Sequence, residues 1–493
     1  MITGVPLAKR RCDISGLDFD DLFANQFVLT KNKNLEISDF KKLELGLWSL
    51  YIGSSLPRCL LTDTKGICIG ILLGVAVHET KGILGAREVV SEPGTTAFEK
   101  IEAFFEFLSG RFVIICREEG MERVYPDPAA SLGVVYDATT KTVGSTTFLV
   151  LDREVEPTPT FDAVAIRGGQ SNYGLGYTCD ANVRRLIANH YLDLGSFETY
   201  RYWPSPDHVF ETGSLSSDEV VDMIAASVAR TASAIIRSRE TLLSMSGGRD
   251  SRFLVAATGE DIRSCTMAFT FVHNWISEFD SRSADLVSEK LGIPFQRISV
   301  DDPEVVERES RFKRRQRIRS FRFATGSISG PRLDLIAGLP DRLPRDQVML
   351  RGNMIELLNA QWYPRWRTMA RPNYRHILAR LHLGRFSEEG LRARMSELEQ
   401  WYESLPKGAR FRVHDFSYLE NFLSNTQPGF YGFPRHFYVA PFCGRKTIEL
   451  TMRLDPKLRI TATCHERVIK RSLVSFQEAP RAKDLIPSPS MQE

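Results

Sequence analysis

Six consecutive residues near the middle of the chain combine hydroxyl, glycine and carboxylate groups in an order suited to phosphate chemistry: Ser246-Gly247-Gly248-Arg249-Asp250-Ser251. Two adjacent glycines let the backbone turn tightly and approach a ligand without a Cβ clash. The amides of such a turn, together with the first turn of a following helix, favour an anion. The hydroxyls of Ser246 and Ser251 can donate to phosphate oxygens. A carboxylate beside phosphates, here Asp250, usually holds Mg²⁺. The pattern therefore predicts a site for ATP and Mg²⁺.

The residues around this hexapeptide predict how it is positioned. A buried strand is expected at Leu242-Leu243 and a helix with an apolar face at Phe253-Leu254-Val255, so the glycines occupy a strand-to-helix turn and the helix opens on Ser251. Further strand patterns alternate with a helical pattern at 281–291; they lie at 264–270, 296–300 and 347–350. This alternation favours an α/β doubly wound parallel sheet, which binds ligands at the carboxyl ends of its strands.

Two residues near the second of these strands are further candidates. Met267 is expected to contribute to the wall of the adenine site, although an apolar residue in a strand fits a core position equally well. Asp280 is expected to support the Mg²⁺ ion or the loop, or else to cap a helix.

Two common phosphate loops are absent, because neither Gly-x4-Gly-Lys-Ser/Thr nor Gly-x-Gly-x-x-Gly occurs at a strand-to-helix junction. The pattern Ser-Gly-Gly-x-Asp-Ser instead resembles the pyrophosphate loop of the ATP-pyrophosphatase enzymes. That resemblance implies cleavage of ATP between its α and β phosphates, which yields an adenylated substrate and pyrophosphate.

The first part of the chain is rich in short strand patterns. They lie at 27–30, 47–51, 67–77, 111–116 and 132–136, and helices are expected at 38–44 and 96–108. The segments 110–115, 125–136 and 143–148 together resemble the glutaminase-like domain of the asparagine synthetase family. The resemblance implies an α+β sandwich over residues 1–205. An ATP-pyrophosphatase domain with a helical C-terminal part would follow over residues 206–493.

A departure from the family pattern predicts that the first domain does not hydrolyse glutamine. Glutaminases of this type use a cysteine exposed at the mature N-terminus, with the free α-amine as its base. Position 2 is Ile2, and the first cysteine is Cys12, inside a basic segment. His190 lies in the segment that links the two domains and is interpreted as a structural residue, since no nucleophile motif lies near it.

A second family position lies at Arg351-Gly352-Asn353-Met354-Ile355-Glu356. In the asparagine synthetase family this place is a glycine-rich turn that ends in Asp-Glu and contacts nucleotide and metal. The resemblance implies that Gly352 contacts ATP and that Glu356 orders the substrate or accepts a proton from the attacking amine. Ile355 replaces the aspartate, which leaves Asn353 as the nearest oxygen donor.

Two features of the C-terminal part complete the resemblance. The family places a lysine in an Arg-x-Lys context, to neutralise charge on the adenylate. Lys483 fits this position, and Lys470 is the alternative. Cys443-Gly444 replaces the family's Leu-Asp, a change associated with distant homologues near surface-polysaccharide genes.

The composition excludes several other classes of protein. The 493 residues are 25% charged and 43% hydrophobic, which is typical of a globular protein of two or three domains. Eight cysteines, none in a CxxC pair, argue against structural zinc or disulfides and favour the cytoplasm. No apolar run is long enough to span a membrane, and a signal-peptide pattern is missing.

Eight Arg or Lys residues at 308–322 predict either a solvated helix face, which we favour, or an RNA-binding segment.

Together these patterns predict an ATP-dependent ligase that adenylates a carboxylate, of a small molecule or a peptide, and couples it to an amine. Without glutamine hydrolysis, the amine is free ammonia, a second substrate, or a group in the same molecule. The β-lactam synthetases and lasso-peptide cyclases close rings in this way, so a role in natural-product or surface-polysaccharide biosynthesis is expected. The alternatives are a non-catalytic nucleotide-binding scaffold, suggested by Ile2 and Ile355, and an RNA-modifying adenylating enzyme. The patterns identify neither the two substrates nor the oligomeric state.

Overall fold

The structure is a computed structural model. It describes residues 4–38, 40–159, 173–302, 311–326, 337–338, 340–364, 372–381, 388–431, 434–472 and 479–485. Ile2 lies outside these residues, as does part of the basic segment at 308–322. Within the described ranges, no helix has both the length and the apolar character needed to cross a membrane. The expected mixed α/β content, with antiparallel and parallel sheets, is confirmed.

The strands up to residue 201 all belong to antiparallel sheets apart from one parallel pair. They are β1 (Phe27–Thr30), β2 (Lys41–Leu45), β3 (Trp48–Ile52), β4 (Arg58–Thr62), β5 (Cys68–His78), β6 (Gly82–Ile83), β7 (Arg87–Val89), β8 (Leu108–Glu118), β9 (Met121–Pro126), β10 (Val135–Asp137), β11 (Thr142–Gly144), β12 (Val183–Arg185), β13 (His190–Asp193) and β14 (Thr199–Arg201). One sheet has the order β12-β10-β11-β1-β3-β2, and the other has the order β14-β13-β9-β8-β5-β4-β7, with β6 paired to β5. The parallel pair is β4 with β7.

These two sheets pack face to face. Alternate residues of each strand point to opposite sides, so each strand contributes side chains both to the core between the sheets and to the outer surface of its sheet. Phe27 and Leu29 of β1 share a buried cluster with Ile71 of β5. Val28 instead packs outward with the helices α1 (Leu7–Ser15) and α2 (Phe19–Phe23). On the far side, α3 (Ala97–Phe105) covers the second sheet. The short helix α4 (Thr147–Val150) packs against α1.

Two helices predicted in this region differ from the structure: the first is wrong, and the second is shorter than predicted. The helix expected at 38–44 is strand β2, which pairs with β3 from Lys41 opposite Ile52 to Leu45 opposite Trp48. The hairpin turns at Gly46, whose φ of +63° lies in the region that favours glycine. Pairing across this turn outweighs the local helical pattern. The helix expected at 96–108 ends at Phe105, because Leu108 already begins β8.

The remaining described strands form one parallel sheet. They are β15 (Thr241–Ser244), β16 (Met267–Val272), β17 (Phe295–Ser299), β18 (Val348–Arg351) and β19 (Phe437–Val439), and the order is β17-β16-β15-β18-β19. Helix α5 (Ser217–Ser238) precedes β15, and α6 (Arg249–Thr258), α7 (Trp275–Leu291) and α8 (Arg311–Thr325) follow β15, β16 and β17 in turn. The central strand, β15, therefore leads directly into α6.

Local capping fixes where the long helices begin. Ser216 and Glu219 form a capping box at the start of α5. Asn274 and Ser277 form another at the start of α7, so this helix begins at Trp275 and not at residue 281. Asp280 therefore lies inside α7, and its interpretation as a helix cap is wrong.

The C-terminal part is mostly helical. Its helices are α9 (Tyr374–Arg380), α10 (Glu388–Glu403), α11 (Val413–Phe416), α12 (Ser424–Tyr431), α13 (Arg445–Arg453), α14 (Pro456–Ile460), α15 (Thr463–Ile469) and α16 (Ala482–Leu485). A π-helical stretch, Ser417–Leu423, joins α11 to α12, and π turns are frequent at functional sites.

Cys443 and Gly444 lie where this part contacts strand β8. The Gly110 N–H donates to the Cys443 carbonyl at 2.8 Å, and the Cys443 thiol donates to Asp127 at 3.3 Å. A Cβ on Gly444 would come within 2.1 Å of the Ser109 hydroxyl. Close packing against β8 therefore explains the glycine at position 444.

Candidate functional site

The hexapeptide forms the turn between β15 and α6, with Gly248 as the N-cap of the helix. The hydroxyls of Ser246 and Ser251 lie 3.0 Å apart, and the Gly248 N–H donates to Ser246 Oγ at 3.3 Å. The Gly247 N–H donates to Asp280 Oδ1 at 3.0 Å. Asp280 thus supports the loop, which is one of the roles expected for it from the sequence. The amides of both glycines are engaged within the protein.

Close packing explains why two of the predicted residues are glycines. A Cβ on Gly352 would lie 2.8 Å from the backbone carbon and oxygen of Asp250. A Cβ on Gly247 would lie 2.6 Å from the Cβ of Ala482 in α16. With contacts this short, a side chain at either position would force its neighbours to shift. The turn after β18 therefore packs against the hexapeptide from one side, and α16 packs against it from another.

Asp250 is held by two residues that sequence reasoning missed. His465 Nε2 lies 2.9 Å from Asp250 Oδ1, and Asn359 donates to the same oxygen at 3.3 Å. His465 is fully buried on α15, and Asn359 ends the short helical turn Ile355–Asn359. Both are distant from the hexapeptide in sequence, so no local pattern indicates them. Their hydrogen bonds fix the orientation of the carboxylate.

Glu356 lies in this same turn, and its carboxyl group has an unusual pKa. Burial, followed by the nearby charge of Asp250, raises the pKa of Glu356 to about 7. Tyr418 donates to its carboxylate at 3.3 Å. Non-glycine residues with positive φ flank the turn, at Met354 (69°) and Ala360 (46°). Strain of this kind clusters at functional sites. A carboxyl group with such a pKa can exchange a proton near neutral pH.

A cavity of about 350 Å³ opens at the carboxyl ends of β15, β16 and β18. Most of its lining comes from the hexapeptide, the strand ends and the π-helical stretch. The full lining consists of Ser244, Met245, Ser246, Ser251, Thr270, Phe271, His273, Ser277, Asp280, Arg351, Asn353, Glu356, Tyr418, Phe422, Leu423, Thr426 and Gln427. Polar groups from the predicted loop and a proton-exchanging carboxyl therefore share one cavity with aromatic side chains.

Several predicted residues do not line this cavity. Gly247, Gly248, Asp250 and Gly352 belong to the loop or pack against it but are not part of the lining. The others are Met267, Lys483 and Lys470. Met267 begins β16 opposite Leu242, whereas Thr270 and Phe271, at the other end of the strand, contribute to the lining. Parallel sheets bind ligands at their carboxyl ends, which explains the difference. Lys483 and Lys470 are both exposed, and neither contributes to the lining. Arg351 is the cation that contributes instead.

The donors fit a magnesium ion bound together with phosphates better than a closed metal cage. The described residues contain no group of three or more His, Cys, Asp or Glu side chains that could hold a metal ion. Mg²⁺ in nucleotide sites usually takes one or two carboxylates, with water and phosphate oxygens as its other ligands. Asp250 supplies one carboxylate of this kind, and its charge contributes to the raised pKa of the nearby Glu356.

Comparison with known proteins shows little. No family model and no curated protein matches the chain. Among solved structures, the chain has a weak likeness to glutamine phosphoribosylpyrophosphate amidotransferase from B. subtilis, complexed with ADP and GMP. The TM-score is 0.20 and the identity 11%, over 57% of this chain and 60% of that one. The chain thus matches less than two thirds of that protein, and a likeness this weak carries no argument about fold or function.

Proposed function

We propose that the chain is an ATP-dependent carbon–nitrogen ligase, similar to the asparagine synthetase family, that adenylates a carboxylate and transfers the acyl group to an amine. The main support is the junction of β15 and α6. There Ser246 and Ser251 lie 3.0 Å apart at a helix N-terminus, beside a cavity that also contains Glu356. Helix N-termini favour phosphate groups, and serine hydroxyls can rotate to donate to phosphate oxygens.

In the proposed first step, a substrate carboxylate oxygen attacks the α-phosphorus of ATP and pyrophosphate leaves. Ser246 and Ser251 would donate to phosphate oxygens, and Asp250 would hold Mg²⁺. The ion would neutralise phosphate charge in the site. We assign to Arg351, which lines the cavity, the charge-neutralising role that the sequence suggested for Lys483.

In the proposed second step, the amine nitrogen attacks the acyl carbon, AMP leaves and the amine loses a proton. Glu356 would accept this proton, since its pKa of about 7 leaves it partly ionised near neutrality. Tyr418, which donates to its carboxylate, would keep that group oriented toward the cavity.

The amine in this proposal does not come from glutamine. Cys12 is fully buried in α1, and burial raises the pKa of its thiol to about 12. A thiol with so high a pKa carries almost no thiolate, which is the reactive form. His190 is also buried, its pKa is lowered to about 4 by burial, and its Nδ1 lies 2.9 Å from the Ala188 carbonyl oxygen.

The test is pyrophosphate release from ATP and Mg²⁺ over a panel of carboxylic acids, with hydroxylamine as a generic amine. We expect release with at least one acid, and a fall of about 100-fold or more in Asp250→Asn. Asp261→Asn is the matched control, since Asp261 pairs with Arg237 on the surface at 2.7 Å. Equal rates in the two variants would refute the role of Asp250.

The exposure of Lys483 and Lys470 favours a second candidate, a nucleotide-binding scaffold without catalysis. ATP binding that depends on Ser246, with no pyrophosphate release from any acid and no exchange of labelled pyrophosphate into ATP, would support this candidate over the ligase.

A further inference from the structure

A second groove, of about 520 Å³, lies between α1, α4 and α8. Its lining residues come from both the first domain and the basic helix: Leu7, Arg11, Phe148, Glu154, Val155, Arg315, Ile318, Arg319, Arg322 and Phe323. None of them lines the cavity beside the hexapeptide. The groove is therefore separate from the candidate ligase site.

Half of this lining is apolar. The rings of Phe148 and Phe323 meet edge to face, with centroids 5.7 Å apart and planes at 78°. Leu7, Val155 and Ile318 complete the apolar surface. Ligand sites of this size commonly combine an apolar lining with a few polar groups that orient the ligand.

The polar part of the lining is dominated by arginine. Arg315, Arg319 and Arg322 follow one another at helical spacing on α8, and Arg11 faces them from α1. Residues spaced in this way lie on the same face of a helix. Glu154 is the single carboxylate of the lining, and it pairs with Arg11.

Two of these arginines lack an acidic partner in the described part of the chain. Among the residues that the structure describes, no carboxylate pairs with Arg315 or Arg319, and Arg319 lies over the Phe323 ring at 5.5 Å. A guanidinium group offers paired donors that match the oxygens of a phosphate. The two side chains therefore present an anion-binding rim beside the apolar wall.

We propose that this groove binds an organic phosphate monoester. Its phosphate is held by Arg315 and Arg319, and its apolar body packs on Phe148 and Phe323. An RNA strand fits the groove less well, because bases stack on exposed ring faces. Here the two rings are half-buried and meet edge to face.

The test uses the full chain and isothermal titration with 1-naphthyl phosphate, inorganic phosphate and 1-naphthol. We expect the ester to bind at least about tenfold more tightly than either fragment, since both parts of the groove then contribute. In Arg315→Gln/Arg319→Gln, ester affinity falls by about tenfold or more, because two charged donors are lost. Arg311→Gln/Arg314→Gln removes the same charge from exposed positions of α8 outside the groove and leaves affinity nearly unchanged.

Three results would overturn the proposal. The first is no binding of the ester by the unmodified chain. The second is an equal loss of affinity in both double variants, accompanied by binding of a short oligouridylate. This result would indicate that the arginines of α8 form a general contact for nucleic acid. The third is displacement of the ester by ATP with Mg²⁺, which would place it in the cavity beside the hexapeptide.

Discussion

His465 Nε2 lies 2.9 Å from Asp250 Oδ1, although 215 residues separate the two in sequence. An ionised carboxylate can only accept, so the imidazole donates from Nε2. His465 is fully buried and Asp250 is partly exposed, with 27% of its side chain accessible. The histidine is therefore a positioning residue. It holds the Asp250 carboxylate from inside the protein, while the other side of that carboxylate faces solvent.

We expect His465→Ala to raise the Mg²⁺ concentration needed for half-maximal ATP binding by about tenfold or more, since residues that hydrogen-bond to a metal ligand tune metal affinity by such factors. His465→Gln retains a donor and has a smaller effect. His208→Ala is the control, because His208 is partly buried beside Glu449 and lies outside the cavity. Titration of Mg²⁺ at fixed ATP measures the shift. The same shift in the control would assign the effect to general destabilisation.

The raised pKa of Glu356 predicts a pH dependence of stability. The folded protein holds this proton up to about pH 7, whereas the carboxyl ionises near its ordinary value of 4.5 in the unfolded chain. Between these values the folded state binds more protons, so its free energy of unfolding decreases as pH rises. Glu356→Gln removes this decrease, which makes the variant more stable than the wild type above the range by about 1–3 kcal/mol.

Urea unfolding at a series of pH values measures this effect. Glu260→Gln is the control, because Glu260 is 66% exposed and lies on the surface beside Arg263. A difference between the wild type and Glu356→Gln that stays constant with pH would contradict the assignment of the proton to Glu356.

The contact of Gly352 with the backbone of Asp250 predicts the result of adding a methyl group. A Cβ would lie 2.8 Å from two backbone atoms, so Gly352→Ala must displace the hexapeptide. We expect a loss of about 1–3 kcal/mol in stability, as for other overpacked sites. ATP affinity, measured by titration calorimetry, falls as well. Gly85→Ala, whose Cβ meets no atom within 4 Å, leaves both unchanged. An unchanged affinity in Gly352→Ala would show that the loop tolerates the displacement.

A buried ion pair fixes the turn that carries Glu356. Arg459 donates to Asp415 Oδ2 at 2.7 Å and to the Leu357 carbonyl at 2.8 Å. Arg459→Leu leaves the buried Asp415 without its cation, so we expect a loss of about 3–5 kcal/mol. Arg237→Leu, which breaks an exposed pair, costs less than about 1 kcal/mol. Chemical denaturation of both variants gives the comparison, and similar losses would show that burial of the pair is unimportant.

Thiol reactivity tests the absence of a glutaminase nucleophile. Cys68 is exposed, whereas Cys12 is buried with a pKa raised to about 12. Iodoacetamide should therefore modify Cys68 in the native protein, and Cys12 only after denaturation. Peptide mass mapping identifies the modified residue, and Cys68→Ser provides the control. Rapid native modification of Cys12, or glutamine hydrolysis lost in Cys12→Ala, would refute a silent first domain.

The sequence predicted the parts of the site that are local in the chain. The strand, the glycine turn and the helix after it are encoded within residues 241–258, and the structure has them there. The proximity of Gly352 and Glu356 to the loop was indicated by a family pattern. The division of the chain at residues 205 and 206 stays a prediction.

The residues that sequence reasoning missed reach the loop or Glu356 through tertiary packing. His465, Asn359 and Tyr418 come from separate elements of the C-terminal half, and their types have no fixed spacing from the hexapeptide. Met267 shows a second limit of prediction from sequence. An apolar residue in a strand satisfies a core pattern and a ligand pattern equally, and only strand direction tells the two ends apart.

The contact of α16 with the hexapeptide has a consequence for protein synthesis. Arg252, which is buried behind the loop, donates to the Pro480 carbonyl at 2.9 Å, and the two residues are 228 positions apart. A nascent chain on the ribosome carries every residue of the hexapeptide long before the segment that packs against Gly247 is translated. The loop is therefore completed only after translation has passed Ala482, and shorter nascent chains display it without this packing.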